Sequence, residues 1–294
     1  MTAVKTETQS TRLYDYNKIF GQPKENNLKR FELPKLTTYN QKETMMCVGY
    51  ALATAGEILF EKQMSPGWTY GKLRSHKLQG MFVEETLKYA CEIGLVPLSD
   101  FGIFKEVPEI IDIVNAHPEL LEIAKKYKLS GYCNLNYADK AKRNINVKDA
   151  IGRYKEKVAV IATSIKHFGA NHCVAIVGWN DDADSWIYQN SYGINNEDEG
   201  RGEIPRDKIN SIYAVFLEPI KLPFVDVPDT PNNYQFKAVR NLFLADIMNG
   251  ISETEFNPNG YITRGDMAVV VDRALSKIDK AIANNARLQY EAEE

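Results

Sequence analysis

The sequence predicts an α+β protein of two lobes, one mainly helical and one mainly antiparallel β, followed by a small helical module. Three patterns predict it. Apolar residues recur at helical spacing in the first half, strand-like runs separated by polar turns fill the second, and a helix–glycine–helix pattern closes the chain. The 294 residues exceed a usual single domain of roughly 100 to 200, and 44% hydrophobic content is enough for an ordinary packed core. The expected divisions are an arm or short prosegment over 1–32, the two-lobed body over 33–220, the module over 221–278 and a tail over 279–294.

The arm begins polar. Met1 to Ser10 is followed by no apolar run, so the sequence reads as lacking a secretory signal. Leu13, Tyr14, Tyr16, Ile19 and Phe20 are expected to pack the arm on the body or across the groove between its lobes.

The first lobe is expected over Gln41 to Tyr127. Val48, Ala51, Leu52, Ala55, Ile58 and Leu59 recur at i, i+3, i+4 and i+7 spacing, the stripe of an amphipathic helix. Cys47 then sits at its N-terminal end, where unpaired amides, the helix dipole and a neighbouring imidazolium favour a thiolate near neutral pH. Gln41, six residues earlier, is placed to donate to an oxyanion. The alternative for Cys47 is a small hydrophobe packed under the helix. Cys91 and Cys133 fall in apolar stretches and read as buried thiols. Val107 to Lys128, with Pro108 and Pro118 as helix-start residues, reads as a helical elaboration. His76 and His117 read as surface or turn residues.

The second lobe is expected over Ser130 to Pro219. Cys173 to Trp179 and Ser185 to Gln189 are rich in β-branched and aromatic residues, and Asn180 to Asp184 reads as the turn joining them. Folded about residue 181, the two strands place His172 opposite Asn190, with Cβ atoms about 5 Å apart. An amide oxygen there fixes the imidazole tautomer and leaves the other ring nitrogen for a thiol. His167 lies in the loop that leads to His172, and that loop is expected to approach the groove.

These segments together resemble the papain-like cysteine peptidases. Asn40-Gln41, five residues and Cys47 match N-Q-x5-C. Asn171 to Trp179 resembles the strand N-H-A-V-x-x-V-G-Y, and Trp186 to Gly193 resembles W-x-x-K-N-S-W-G. His172 and Asn190 lie 125 and 143 residues beyond Cys47, close to the roughly 130 to 150 expected. The resemblance implies a cysteine endopeptidase without cofactor or metal: Cys47 as nucleophile, His172 as base and acid, Asn190 as its orienter and Gln41 at the oxyanion. It also implies a substrate pocket bordered by Gly80, Met81, Asn171, Cys173 and Tyr192. Ser65-Pro66, Tyr70 and the stretch from Glu84 to Gly94 resemble the region lining one cleft wall. The chain departs from the family at Met45-Met46, which removes the upstream cysteine and one disulfide, and at Val48, which removes an aromatic. Tyr192 stands where a tryptophan shields the asparagine–histidine bond, and Cys173 stands where a small residue lines the pocket.

The module resembles one S-layer homology repeat. Phe224-Val225-Asp226-Val227 opens it, Ala238 to Met248 reads as a helix, Asn249-Gly250 breaks it, and Phe256-Asn257-Pro258 precedes Ile262-Thr263-Arg264-Gly265-Asp266 at the start of a second helix through Leu275. Gly265 and Asp266 replace the usual alanine and glutamate, and Tyr234 stands where tryptophan is common. The resemblance implies attachment to a bacterial cell-wall polysaccharide through Thr263, Arg264 and Asp266, with Arg264 on an acidic sugar. Such repeats usually come in threes. One copy points to a homotrimer or to an appendage that serves assembly, since about 50 residues bury little surface alone.

A formal charge of −3 gives no sign of a nucleic-acid partner, and no stretch approaches the roughly 20 apolar residues of a membrane span. Asn195 to Gly200 reads as a solvated acidic loop. The functional expectation is an endopeptidase acting on proteins or peptides at a bacterial surface, extracellularly or carried by a virus. The alternatives are a thiol hydrolase of peptidoglycan peptides and a non-catalytic wall-adhesion or assembly protein.

Overall fold

The computed structural model describes residues 16–73, 80–102, 114–115, 117–217, 222–228, 234–244 and 247–293. These fall into two compact units, 23–217 and 222–293 together with 16–22. Leu13, Tyr14, His76 and Pro108 lie outside the described residues, as do 107–113 and 116 of the stretch 107–128.

The arm divides between the units. Helix α1 (Tyr16–Phe20) belongs with the C-terminal one, where Lys18 Nζ stands 5.0 Å from the centre of the Phe243 ring. Residues from 23 onward belong to the larger unit: the Lys24 amide donates to Asp149 and the Leu28 carbonyl accepts from the Trp179 indole. Strand β1 (Arg30–Glu32) then pairs with Gly178 to Asn180.

The first lobe holds α2 (Cys47–Phe60), α3 (Pro66–Leu73), α4 (Val83–Glu92), α5 (Leu98–Phe101) and α6 (Leu120–Ala124), the last starting two residues after Pro118. Helix α2 is buried nearly all round, with Glu57 and Phe60 as the exceptions. A one-sided stripe was the sequence expectation; the helix is instead central, packed on α3 and on two strands of the sheet, a position its alanines and glycines suit. Cys91 is half-buried on α4, whose inner face is Val83, Thr86, Leu87 and Ala90.

The second lobe is an antiparallel sheet in the order β2-β7-β3-β4-β5-β6. Its strands are β2 (Gly131–Asn134), β3 (Val158–Ser164), β4 (His172–Asn180), β5 (Ser185–Gln189), β6 (Arg201–Pro205) and β7 (Ser211–Phe216). All of β3 and nearly all of β4 are buried, with α2 and α7 (Lys140–Gly152) both packing against them. Asp139 caps α7 by accepting from the amides of Ala141 and Lys142.

The β4–β5 hairpin has the expected strands but a different register. Asn180 pairs with Ser185, and beyond a bulge between Ile176 and Gly178 the partners are Ile176 with Tyr188 and Ala175 with Gln189. The turn is Asp181 to Asp184, closed by the Asp184 amide on the Asp181 carbonyl at 3.2 Å, so its centre lies past residue 181. At this register His172 and Asn190 are two positions from facing each other, which corrects the direct opposition expected from the sequence. Arg206 braces the turn, with Nη2 2.7 Å from Asp181 Oδ1 and its guanidinium 4.4 Å from the centre of the Trp186 ring.

The C-terminal unit contains α8 (Tyr234–Leu244) and α9 (Arg264–Glu293). Its core is Phe224, Val227, Phe236, Val239 and Phe256. Asp226 accepts from the amides of Phe256 and Asn257, so the F-x-D-V and F-N-P segments hold each other. Among the described residues helix α8 covers Tyr234–Leu244, already helical four residues ahead of the Ala238 start that the sequence pattern indicated, and Ile247 and Met248 are not helical. Helix α9 continues to Glu293, so the segment 279–294 expected as a tail is helical through residue 293.

Candidate active site

Cys47 is the first residue of α2, and no side chain caps that terminus. The backbone amides of Cys173, Val48 and Cys47 itself favour its thiolate, which places the sulfur beside the residue that follows His172. The thiol is nevertheless fully buried, and loss of water outweighs those amides and pushes its pKa up to about 12. Burial of the thiol opposes the thiolate that the helix terminus, together with a neighbouring imidazolium, is expected to favour.

His172 opens β4 with 2% exposure. Its Nε2 lies 2.8 Å from Asn190 Oδ1. That oxygen also accepts the Ser191 amide at 2.8 Å, which fixes the orientation of the Asn190 amide: a flip would turn an NH2 group toward an N–H donor. Nε2 therefore carries the proton and donates it, leaving the lone pair on Nδ1. Burial pushes the imidazole pKa down to about 4 against the bond to Asn190, which raises it. Burial thus works against the charged form of each group, and the ring is in the tautomer that accepts a proton at Nδ1.

The ring is held on two sides. Tyr192 stacks on it at 4.6 Å and 21°, and Phe168 meets it edge-on at 4.8 Å and 76°. Tyr192 is 40% exposed, so it forms the outer cover of the His172–Asn190 pair.

Gln41 is joined to the same loop. Residues Tyr39 to Gln41 run antiparallel to Ser191 to Gly193, through Gln41 N to Ser191 O at 2.7 Å and Gly193 N to Tyr39 O at 3.0 Å. Gly193 has φ +93, and a Cβ there would stand 2.8 Å from the Asn40 side-chain nitrogen, so the sequence N-S-Y-G needs its glycine. Ser191 Oγ donates to Gln41 Oε1 at 2.6 Å, and Gln41 Nε2 donates to Thr44 O at 3.1 Å. The amide is oriented by both contacts, and one N–H of Nε2 is left over.

Of the expected pocket residues, Met81, Asn171 and Cys173 are buried, Gly80 is buried beside Met81, and Tyr192 is half-exposed. His117 is exposed and 2.6 Å from Glu119. Sequence reasoning gave no role to Ser191 or Thr44, which orient Gln41, nor to Phe168; Ser191 lies inside the N-S-Y-G motif, while Phe168 carries no signal.

In the C-terminal unit Thr263 and Asp266 form a reciprocal helix cap. Thr263 Oγ1 accepts the Asp266 amide at 3.0 Å and donates to Asp266 Oδ2 at 2.6 Å. A cavity of about 590 Å³ lies between the 248–262 loop and α9; Asp266 and Arg273 line it, and Arg264 is outside its lining.

Residues 223–268 match the S-layer homology domain model. No curated protein matches the chain. Xylellain, a cysteine protease from Xylella fastidiosa, is similar in structure with a TM-score of 0.56 and 16% identity, over 73% of this chain and 98% of its own. Digestive procathepsin L 3 of Tenebrio molitor larval midgut has a TM-score of 0.51 at 13% identity, over 70% of this chain and 74% of its own. With a helical lobe, an antiparallel lobe and this connectivity, the chain has the fold of the papain-like cysteine proteases, followed by an S-layer homology domain.

Proposed function

We propose that this chain is a cysteine endopeptidase with Cys47, His172, Asn190 and Gln41 as its catalytic group, held at a bacterial surface by its C-terminal domain. The observation that carries the reading is the buried His172–Asn190 pair, with Nδ1 left as acceptor, on the strand whose next residue contacts the Cys47 thiol.

In this mechanism the thiol gives its proton to His172 Nδ1 as the sulfur attacks the scissile carbonyl. The Cys47 backbone N–H and the remaining Gln41 Nε2 proton meet the developing oxyanion. The imidazolium then protonates the leaving amine, and the neutral ring takes a proton from the water that releases the acyl group. Asn190 keeps the ring in register throughout. Gly80, Met81, Asn171, Cys173 and Tyr192 border the bound peptide. A peptide-library cleavage profile with Cys47→Ala as control tests the reading: cleavage by the parent alone supports it, and equal cleavage by both proteins refutes it.

The S-layer homology match supports a wall polysaccharide as the anchor. Arg264, from the sequence motif, and Arg273, which lines the cavity, are the cations assigned here to an acidic sugar, and binding to purified walls that survives loss of both would refute that role. Helix α9 exposes Met267, Val271, Leu275 and Ile278 at three- and four-residue steps, each 46% exposed or more. That stripe suits self-association through α9, and three copies is the number that the single repeat suggests. Sedimentation measures it: Val271→Glu with Leu275→Glu gives monomer where the parent gives trimer, and a monomeric parent at high concentration refutes it.

A further inference from the structure

Behind the His172 ring lies a chain of contacts that the mechanism does not use. Phe168, which meets the imidazole edge-on, also meets the Tyr188 ring at 5.4 Å and 69°. The Tyr188 phenol, on a residue 1% exposed, donates to the carboxylate of Glu197 and lies 3.3 Å from His167 Nε2. Glu197 belongs to the loop that begins directly after Tyr192 and Gly193, and Tyr192 stacks on the other side of the same imidazole. The contacts therefore close a ring: His172, Phe168, Tyr188, Glu197, then back along the backbone to Tyr192 and His172.

Local structure is arranged around this ring. A Cβ on Gly202 would stand 2.5 Å from the Tyr188 oxygen and 2.9 Å from Glu197 Cδ, so β6 leaves space for the pair only with glycine there. The turn that presents Phe168 is braced from outside by Ser164 Oγ on Lys208 O at 2.7 Å and by the Ile165 amide on Asn210 Oδ1 at 2.7 Å. Burial and the neighbouring carboxylate both hold the Tyr188 phenol protonated, so it stays a donor at any pH of interest.

We propose that Glu197, acting through Tyr188 and Phe168, positions the His172 imidazole between two aromatic walls and keeps water from its face. Glu197 and Tyr188 touch neither substrate nor sulfur in this scheme; they are positioning residues. The inference rests on the peptidase reading above. When the phenol–carboxylate bond is lost, Tyr188 no longer fixes Phe168, the ring samples orientations in which Nδ1 misses the thiol, and water reaches it. Ground-state peptide binding does not involve these groups, so the defect falls on kcat.

The test is Tyr188→Phe, which keeps the ring and removes the hydroxyl, with Glu197→Ala as a second, surface-accessible variant and Glu197→Gln as the conservative one. The expected result is a roughly fivefold to twentyfold loss of kcat with KM within about twofold, from loss of one charge-assisted hydrogen bond. The acid limb of kcat/KM moves upward in pH as the imidazole gains water. Glu197→Gln, whose amide oxygen still accepts the phenol, restores most of kcat. The titratable groups facing the ring and its supports are Cys47, Tyr192, Tyr188, His167 and Glu197, so His167→Gln is the control and keeps the acid limb. An active parent whose Tyr188→Phe and Glu197→Ala variants match it in kcat and acid limb overturns the positioning role. So does an acid limb that vanishes in His167→Gln. An inactive parent instead removes the peptidase reading itself.

Discussion

Nε2 of His172 lies 2.8 Å from Oδ1 of Asn190, although the hairpin register sets the two residues two positions from opposite one another. The diagonal reach works because Asn190 follows the last residue of β5, where the chain turns across to pair with Asn40 and Gln41. One oxygen takes both the imidazole and the Ser191 amide, so a single buried acceptor sets tautomer and loop together.

Asn190→Ala should therefore cost more than a simple orienting contact. It removes the acceptor from a buried ring N–H and from a backbone N–H at once. A loss of about 1.5 to 3 kcal/mol corresponds to roughly ten- to two-hundredfold in kcat. Steady-state cleavage of a fluorogenic peptide reads it, with circular dichroism showing the variant folded.

Gln41→Ala should lower kcat by about a hundred- to a thousandfold, the usual result of removing one oxyanion donor. Ser191→Ala keeps that donor but frees its orientation, since Oε1 loses the 2.6 Å hydroxyl contact. Its loss is smaller than that of Gln41→Ala. A Gln41→Ala protein that cleaves at the parental rate would remove Gln41 from the mechanism.

Stability should fall on the acid side through His172. Its pKa is pushed from 6.5 down to about 4 in the folded chain, so between those values the unfolded chain binds the extra proton. Stability contributed by the neutral buried ring is complete above pH 6.5 and is lost as pH falls toward 4, by about 3 kcal/mol. Urea titrations at pH 7 and pH 4.5 measure it. His172→Gln, with no proton to take up, shows a shallower decline.

Cys47 should react slowly with small alkylating agents in the resting protein. Its pKa near 12 means that the iodoacetamide rate keeps climbing through pH 9. A flat rate from pH 5 to 8 would instead reveal a preformed thiolate–imidazolium pair, and the resting state would then be the ionised one.

Much of this arrangement could be read from residue pattern, for reasons that differ by element. Strands β4 and β5 announced themselves because β-branched and aromatic residues fill them, and the Asp181–Asp184 turn is rich in turn formers. Their register did not, because the bulge after Ile176 leaves no mark in composition. Cys47, Gln41, His172 and Asn190 stand out as candidates because short motifs carry them, and the structure brings His172 to Asn190 and Gln41 to Ser191. Phe168, Tyr188 and Glu197 were missed as a group because their link is spatial, across a loop, a strand and a second loop. The length of α9 was underestimated because its later residues are polar, and polarity alone does not stop a helix.

The central claim is that one thiol and one imidazole act as a pair. Labelling with a peptidyl epoxide followed by peptide mapping tests it most directly. The account predicts one label per chain, on Cys47, in the parent and none in a folded His172→Ala variant. No label on the folded parent, or equal labelling of both proteins, would contradict it.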